Sequence, residues 1–226
     1  MSRISSPPSF RWAILGTGSV AYKFAWGLAA STIATGVATV ASRQPERAGA
    51  FAARFPGAVA APDYAAAILR DDVDAVYVAT PPARHEEHAR LAIAAGKPVL
   101  IEKPFATDAA AARRIATAAS ERGILCMEAM WTRFLPLYGK VREILANRTI
   151  GEIRSLQARF MIADKADPAA SLFDPGRGGG ALLHRGIYGV SLAHHLLGPV
   201  VEVRAMGQTG ASGVDEDCTL IMRHVG

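Results

Sequence analysis

Cysteine is nearly absent: Cys126 and Cys218 are the only two in 226 residues. Each lies inside an apolar segment, which suits a buried free thiol in a reducing compartment and argues against a disulfide framework. Their spacing supports no metal site, and no His, Asp and Glu constellation supplies one. Long apolar runs are missing too, none approaching the ~18 to 20 residues of a membrane span. The polar opening stretch Met1 to Phe10 lacks the apolar centre of a signal peptide. These absences lead to the expectation of a soluble, cytoplasmic protein with no membrane partner. Basic runs are also lacking. The formal net charge is +5, yet the arginines are scattered and only Arg113 and Arg114 adjoin. Such a distribution leaves no nucleic-acid footprint, and a mildly basic surface suits a polyanionic cofactor.

What is present is an ordinary globular composition, 50% hydrophobic and 20% charged, long enough for one large domain or two small ones. Trp12 to Gly16 reads as an apolar strand that runs into Gly16-Thr17-Gly18-Ser19-Val20-Ala21, followed by a helix from Tyr22 to Ser31. This is G-x-G-x-x-A between a strand and a helix, with small residues where a dinucleotide's pyrophosphate and the helix need them. Backbone N–H groups at the helix start would hold the phosphates. A second strand, Gly36 to Ser42, ends in Ser42-Arg43, with Arg47 one turn on. NAD-binding chains present an acid at that point, whereas an arginine accommodates a 2′-phosphate, so the expected cofactor is NADP(H) rather than NAD(H).

The alternation continues with a short helix over Pro62 to Arg70 and a continuous apolar strand over Ala75 to Ala79, ending in Thr80-Pro81-Pro82. A helix from Ala83 to Ala95 follows, closed by Gly96. The next strand, Val99 to Ile101, ends abruptly in Glu102-Lys103-Pro104. A proline stops the ladder there and leaves a lysine at the rim of the sheet, where open α/β sheets bind ligands. A helix from Asp108 to Arg122 and a strand from Ile124 to Met127 complete a doubly wound parallel sheet. After Glu128 the pattern changes. A helix over Leu137 to Asn147 precedes three segments of period-2 alternation: Leu156 to Ile162, Val201 to Ala205 and Cys218 to Met222. These predict an antiparallel sheet with one open face. Between the first two lie a loop rich in Asp, Pro and Gly and an apolar helix from Ala181 to Leu197. The predicted class is therefore α/β. A Rossmann domain spans 1–128, and a substrate-binding and oligomerisation α+β domain spans 129–226, its mostly antiparallel sheet looking truncated.

Five stretches, AILGTGSVA, VASRQPERAGAFAARF, DAVYVATPPARHEEHARLAIAAGKPVLIEKP, MEAMWTRFLP and GGGALLHRGIYGVSLAHHLLG, occur in an order and spacing that resembles the Gfo/Idh/MocA oxidoreductases. The branch they look most like is that of dihydrodiol dehydrogenase and glucose-fructose oxidoreductase. The resemblance covers nearly the whole chain. It implies a nicotinamide-dependent enzyme transferring hydride to or from a hydroxyl or carbonyl carbon of a sugar, polyol or cyclic diol. Its implied cofactor residues are Gly16, Thr17, Gly18, Ser19, Val20, Ser42, Arg43, Arg47, Thr80, Pro81, His85, Glu102 and Lys103. Lys103 would approach the nicotinamide and the substrate hydroxyl, with a cis bond to Pro104, and Tyr188 would act as acid/base. A phenol that ordinarily ionises near pH ~10 can serve near neutrality when an ammonium stabilises its anion. Trp131, Arg133 and Phe134 are the expected substrate-side residues, with a packing cluster where the chain crosses between domains as the alternative.

Two features depart from the family. An aspartate commonly stands four residues before the tyrosine, and here that position is His184, which can bond a hydroxyl or shuttle a proton but brings no fixed negative charge. Family members also continue with further strands past the segment matching VDEDCTLIMRHVG. The uncovered sheet face would then suit a homodimer or higher homo-oligomer. A non-catalytic dinucleotide-binding or regulatory homologue is the alternative reading.

Overall fold

The computed structural model describes residues 10–163, 167 and 170–225. The polar opening stretch to Ser9 and part of the Asp/Pro/Gly loop lie outside the described residues. The chain forms two compact units, Met1–Ala129 and Met130–Gly226.

The first unit holds a six-stranded parallel sheet made of β1 (Phe10–Leu15), β2 (Thr35–Ala41), β3 (Val59–Ala60), β4 (Ala75–Val78), β5 (Val99–Glu102) and β6 (Cys126–Ala129), in the order β3-β2-β1-β4-β5-β6. Side chains alternate across the sheet. Ala13, Leu15, Val76 and Val78 join Ile93 and Ile115 in one core, while Ile14 and Tyr77 join Val40 and Phe51 in the other. Both faces are covered, so the strands read as uninterrupted apolar runs rather than as alternation. On one side pack α1 (Ser19–Ala29) and α2 (Pro45–Ala52). On the other pack α3 (Tyr64–Ile68), α4 (His85–Ala94) and α5 (Ala109–Arg122). Asp63 and Asp108 cap α3 and α5 by accepting the Ala66 and Ala111 N–H groups at 2.7 and 2.8 Å. Strand order reverses between β1 and β4, which sets the loops after β1, β2, β4 and β5 along the sheet edge where this fold takes ligands.

The second unit contains α6 (Pro136–Ala146), α7 (Ile187–Leu197), and an antiparallel pair, β7 (Val200–Thr209) and β8 (Asp215–His224). The register sets Val203 opposite Met222 and Ala205 opposite Leu220. The alternating residues expected on one face of both strands therefore do share it.

Three expectations need correction. The segment from Leu156 to Ile162 is not a strand; among the described residues the second sheet has two strands. The segment lies beside α7 instead: the Phe160 ring meets the Tyr188 ring edge-on at 5.6 Å, and Ala158 Cβ faces the bare backbone of Gly189. Alternation marks which side chains share a side of an extended segment, and among the described residues no strand pairs with its backbone. The helix from Ala181 to Leu197 is interrupted, because Leu182–Gly186 forms a π-helical turn before α7 begins. The first helix starts earlier than Tyr22, at Ser19, directly on the glycine loop.

Candidate cofactor and active site

In the first unit the site begins at Gly16, whose φ is +111° and where an added Cβ would stand 2.5 Å from the Ala79 carbonyl oxygen. No other residue fits between the β1 and β4 tips. Gly18 is different: an added Cβ would enter open space, and its backbone is extended. Gly18 heads α1 with no side-chain cap, and no acid lies in that helix's first turn. The first N–H groups of α1, from Ser19 and Val20 onward, thus face an open cradle suited to a diphosphate.

Thr17 is buried, and its hydroxyl meets that of Ser42 at 3.3 Å, while Arg47 Nη2 donates to the Thr17 carbonyl at 3.4 Å. Beyond them a cavity of about 330 Å3 is lined by Ser42, Arg43, Gln44 and Arg47. Two guanidinium groups, a hydroxyl and no carboxylate line it, a donor set for a phosphate monoester. Tyr64, which the sequence did not single out, faces the Arg43 backbone and guanidinium, and burial pushes its phenol above the ordinary value. Its only sequence signal was its position just after the Asp63 cap.

The tips of β4 and β5 are joined by side chains. Thr80 Oγ1 lies 2.9 Å from His88 Nδ1, and the Thr80 carbonyl lies 2.9 Å from His85 Nε2. His85 Nδ1 lies 2.8 Å from the Pro104 carbonyl. Pro81 leads into the short 3-10 turn at Pro82–Arg84 that precedes α4. Glu102 is buried, accepts from the Tyr77 hydroxyl at 2.6 Å and from the Lys103 main-chain N–H at 3.2 Å, and burial raises its carboxyl above the usual range. From β6, Glu128 accepts the Phe105 N–H at 2.9 Å. The Lys103–Pro104 peptide is cis. Lys103 thus sits on a tip whose backbone is bonded on both sides.

In the second unit a short 3-10 turn, Trp131–Phe134, leads into α6 and is bonded to α7 at two points. Trp131 Nε1 donates to the Tyr188 hydroxyl at 3.2 Å, and Arg133 Nε donates to Ser191 Oγ at 3.1 Å. The Trp131 and Phe160 rings both meet Tyr188 edge-on. Phe134 is exposed. His184 lies in the π-helical turn, with its N–H on the Gly180 carbonyl. Among the described residues no three His, Cys, Asp or Glu side chains cluster as metal ligands, and no helix is long and apolar enough to cross a membrane. Both cysteines are free and half-buried, burial raising the Cys126 thiol to about 11.

Residues 10–130 match the family model described as an oxidoreductase family with an NAD-binding Rossmann fold, and residues 138–226 match the GFO/IDH/MocA C-terminal domain. Among curated proteins, the chain is 33% identical over 221 residues to trans-1,2-dihydrobenzene-1,2-diol dehydrogenase of Mus musculus, covering 96% of this chain and 66% of that one. It is 39% identical to a dTDP-3,4-didehydro-2,6-dideoxy-alpha-D-glucose 3-reductase of Actinomadura kijaniata, over 85% of this chain and 57% of that one. Among solved structures, the 3-ketoreductase of Actinomadura kijaniata in complex with NADP and TDP-benzene superposes with a TM-score of 0.86 at 35% identity, over 96% of this chain and 66% of that one. The chain spans just under two thirds of the length of the first of these relatives and less of the second.

Proposed function

The chain belongs to the Gfo/Idh/MocA oxidoreductase family, and on that premise we propose that it is an NADP(H)-dependent oxidoreductase acting on a hydroxyl or carbonyl carbon of a sugar, polyol or cyclic diol. The observation that carries the reading is the arginine-lined cavity at the end of β2, adjoining the uncapped start of α1. The relatives support the cofactor choice, since the 3-ketoreductase was crystallised with NADP and a scyllo-inositol 2-dehydrogenase of Bacillus subtilis, 35% identical, is named for NADP(+).

NADP(H), when bound, supplies or accepts the hydride. The residues of this chain divide the remaining work. Gly16, Thr17, Gly18, Ser19 and Val20 hold the diphosphate through main-chain N–H groups. Ser42, Arg43 and Arg47 hold the 2′-phosphate, with Tyr64 beside them. Thr80, Pro81, His85 and Glu102 shape the strand tips that carry the nicotinamide end. Lys103 supplies an ammonium that holds the substrate oxygen and stabilises negative charge on it. Tyr188 acts as the acid/base, giving a proton in reduction and taking it back in oxidation. His184 bonds a neighbouring substrate hydroxyl in place of the family's aspartate. Trp131 and Arg133 hold Tyr188 and its helix, and Phe134 offers an apolar surface to substrate. Residues 1–128 serve as the cofactor domain and residues 129–226 as the substrate and self-association domain, the protein working in solution in the cytoplasm as a homo-oligomer.

Turnover of NADP(H) with a panel of aldoses, inositols and dihydrodiols tests this reading, with Lys103→Ala as the control. Wild-type turnover that disappears in Lys103→Ala, while NADP(H) binding persists, is the expected result. His184 favours one alternative, a dinucleotide-binding protein without catalysis. NADP(H) binding with no turnover across the panel is the outcome that selects it.

A further inference from the structure

His85 is 1% exposed and opens α4 behind the tips of β4 and β5. Both its ring nitrogens face main-chain carbonyl oxygens, Nδ1 that of Pro104 at 2.8 Å and Nε2 that of Thr80 at 2.9 Å. Carbonyls only accept. A neutral imidazole has one N–H and satisfies one of them, while the imidazolium satisfies both. Burial first, and then the Lys103 ammonium at the β5 tip, hold the ring below its ordinary value of 6.5. The other titratable group facing it is His88 on the same helix, held by burial at about 4 and so also neutral near pH 7. Near neutrality, then, one tie is made and not two.

Both carbonyls lie at strand tips that have other holds. On the β4 side the Thr80 hydroxyl meets His88 and the preceding Ala79 N–H is bonded to the Leu15 carbonyl at 2.8 Å. On the β5 side Pro104 has no N–H of its own, and the Phe105 N–H of the Pro104 peptide is bonded to Glu128 at 2.9 Å. The shorter of the two ring contacts is the one to Pro104, the residue next to Lys103. We propose that His85 is a positioning residue for Lys103: its Nδ1–H holds the Pro104 carbonyl and thereby sets how the β5 tip presents the ammonium. The inference rests on Lys103 being the residue at the nicotinamide end.

The test labels the full chain with an amine-directed acylating probe, reads each lysine by peptide mass spectrometry, and repeats the labelling with NADP+ present. Asparagine places an amide N–H near the position of Nδ1, and glutamine near that of Nε2. His85→Asn is expected to keep the wild-type labelling rate at Lys103. His85→Gln is expected to change it by about fivefold, the factor an ordinary hydrogen bond represents. Lys23, Lys97 and Lys140 should not respond in either variant. An unaltered Lys103 rate in both variants overturns the proposal, and so does an equal change in both, which marks a merely structural need for the ring. If His85→Gln does not fold, nitrogen-15 spectra of the wild-type histidine rings decide, since a proton on Nδ1 at neutral pH supports the tie and one on Nε2 overturns it. Protection of Lys103 by NADP+ scores the cofactor reading separately: its absence counts against placing Lys103 at the cofactor and leaves the tie to the variants.

Discussion

The Trp131 indole N–H donates to the Tyr188 hydroxyl oxygen at 3.2 Å, and two residues along the same turn Arg133 donates to Ser191, one turn on from Tyr188 along α7. The MWTRF segment therefore fixes the proposed acid/base from outside its own helix. With the indole filling one acceptor position of the phenol oxygen, the phenol's own proton is left to donate elsewhere.

Trp131→Phe keeps a ring against Tyr188 and removes this donor. Turnover number is expected to fall by about fivefold, in line with one hydrogen bond of ordinary net strength, while NADPH affinity stays at the wild-type value. Steady-state kinetics beside a fluorescence titration of NADPH checks both. An equal loss in cofactor affinity would show that the contact maintains the fold rather than the tyrosine.

The two glycines of the loop are expected to fail differently. Gly16→Ala forces a Cβ to 2.5 Å from the Ala79 carbonyl at a φ of +111°, so it should lower stability by several kcal/mol, in the range of ~1 to 3 for the backbone alone and more for the clash. Gly18→Ala meets nothing in the free protein. It should unfold in urea as the wild type does and yet bind NADPH more weakly, because the methyl group enters the space a diphosphate needs.

Arg43→Asp reverses a charge at the cavity lined by Ser42, Gln44 and Arg47. Loss of a charge-assisted bond, worth ~1.5 to 3 kcal/mol, predicts NADPH affinity lower by about ten- to a hundredfold. NADH affinity should change far less, since it lacks the 2′-phosphate. Paired titrations with the two cofactors measure the ratio, and an unchanged ratio would contradict the assignment of this cavity.

Acid should destabilise the first unit through His88. Burial lowers its ring from 6.5 to about 4, so the folded chain binds that proton less tightly than the unfolded chain. Its contribution is fully present above pH 6.5 and is lost as the pH falls to about 4, amounting to on the order of 3 kcal/mol at ~1.4 kcal/mol per pH unit. His85 is shifted in the same direction, so His88→Gln should flatten the slope of urea stability against pH in this window without removing it. Glu102 acts oppositely: burial raises its carboxyl, and its contribution is greatest in acid and is lost as the pH rises through its folded value.

Much of the first unit is legible in the sequence alone. Gly16-Thr17-Gly18 between a strand and a helix, the continuous apolar runs of β1, β4 and β5, and the acid-free end of β2 are local patterns, set by backbone sterics and by burial on both faces. The second unit was less legible. Leu156 to Ile162 alternates as a strand does but lies against α7, and the π-helical turn at Leu182–Gly186 has no signal in an apolar helical pattern.

The sequence by itself determined the parallel α/β class, the dinucleotide loop, the family, and Lys103 and Tyr188 as the residues to examine. It could do so because these depend on neighbours along the chain or on motifs of fixed spacing. Only the tertiary structure decided that Trp131 bonds Tyr188, 57 residues away, that Tyr77 meets the Glu102 carboxylate, and that His85 reaches Pro104. Those pairings are set by strand order and by which face a side chain takes, quantities that no single segment encodes.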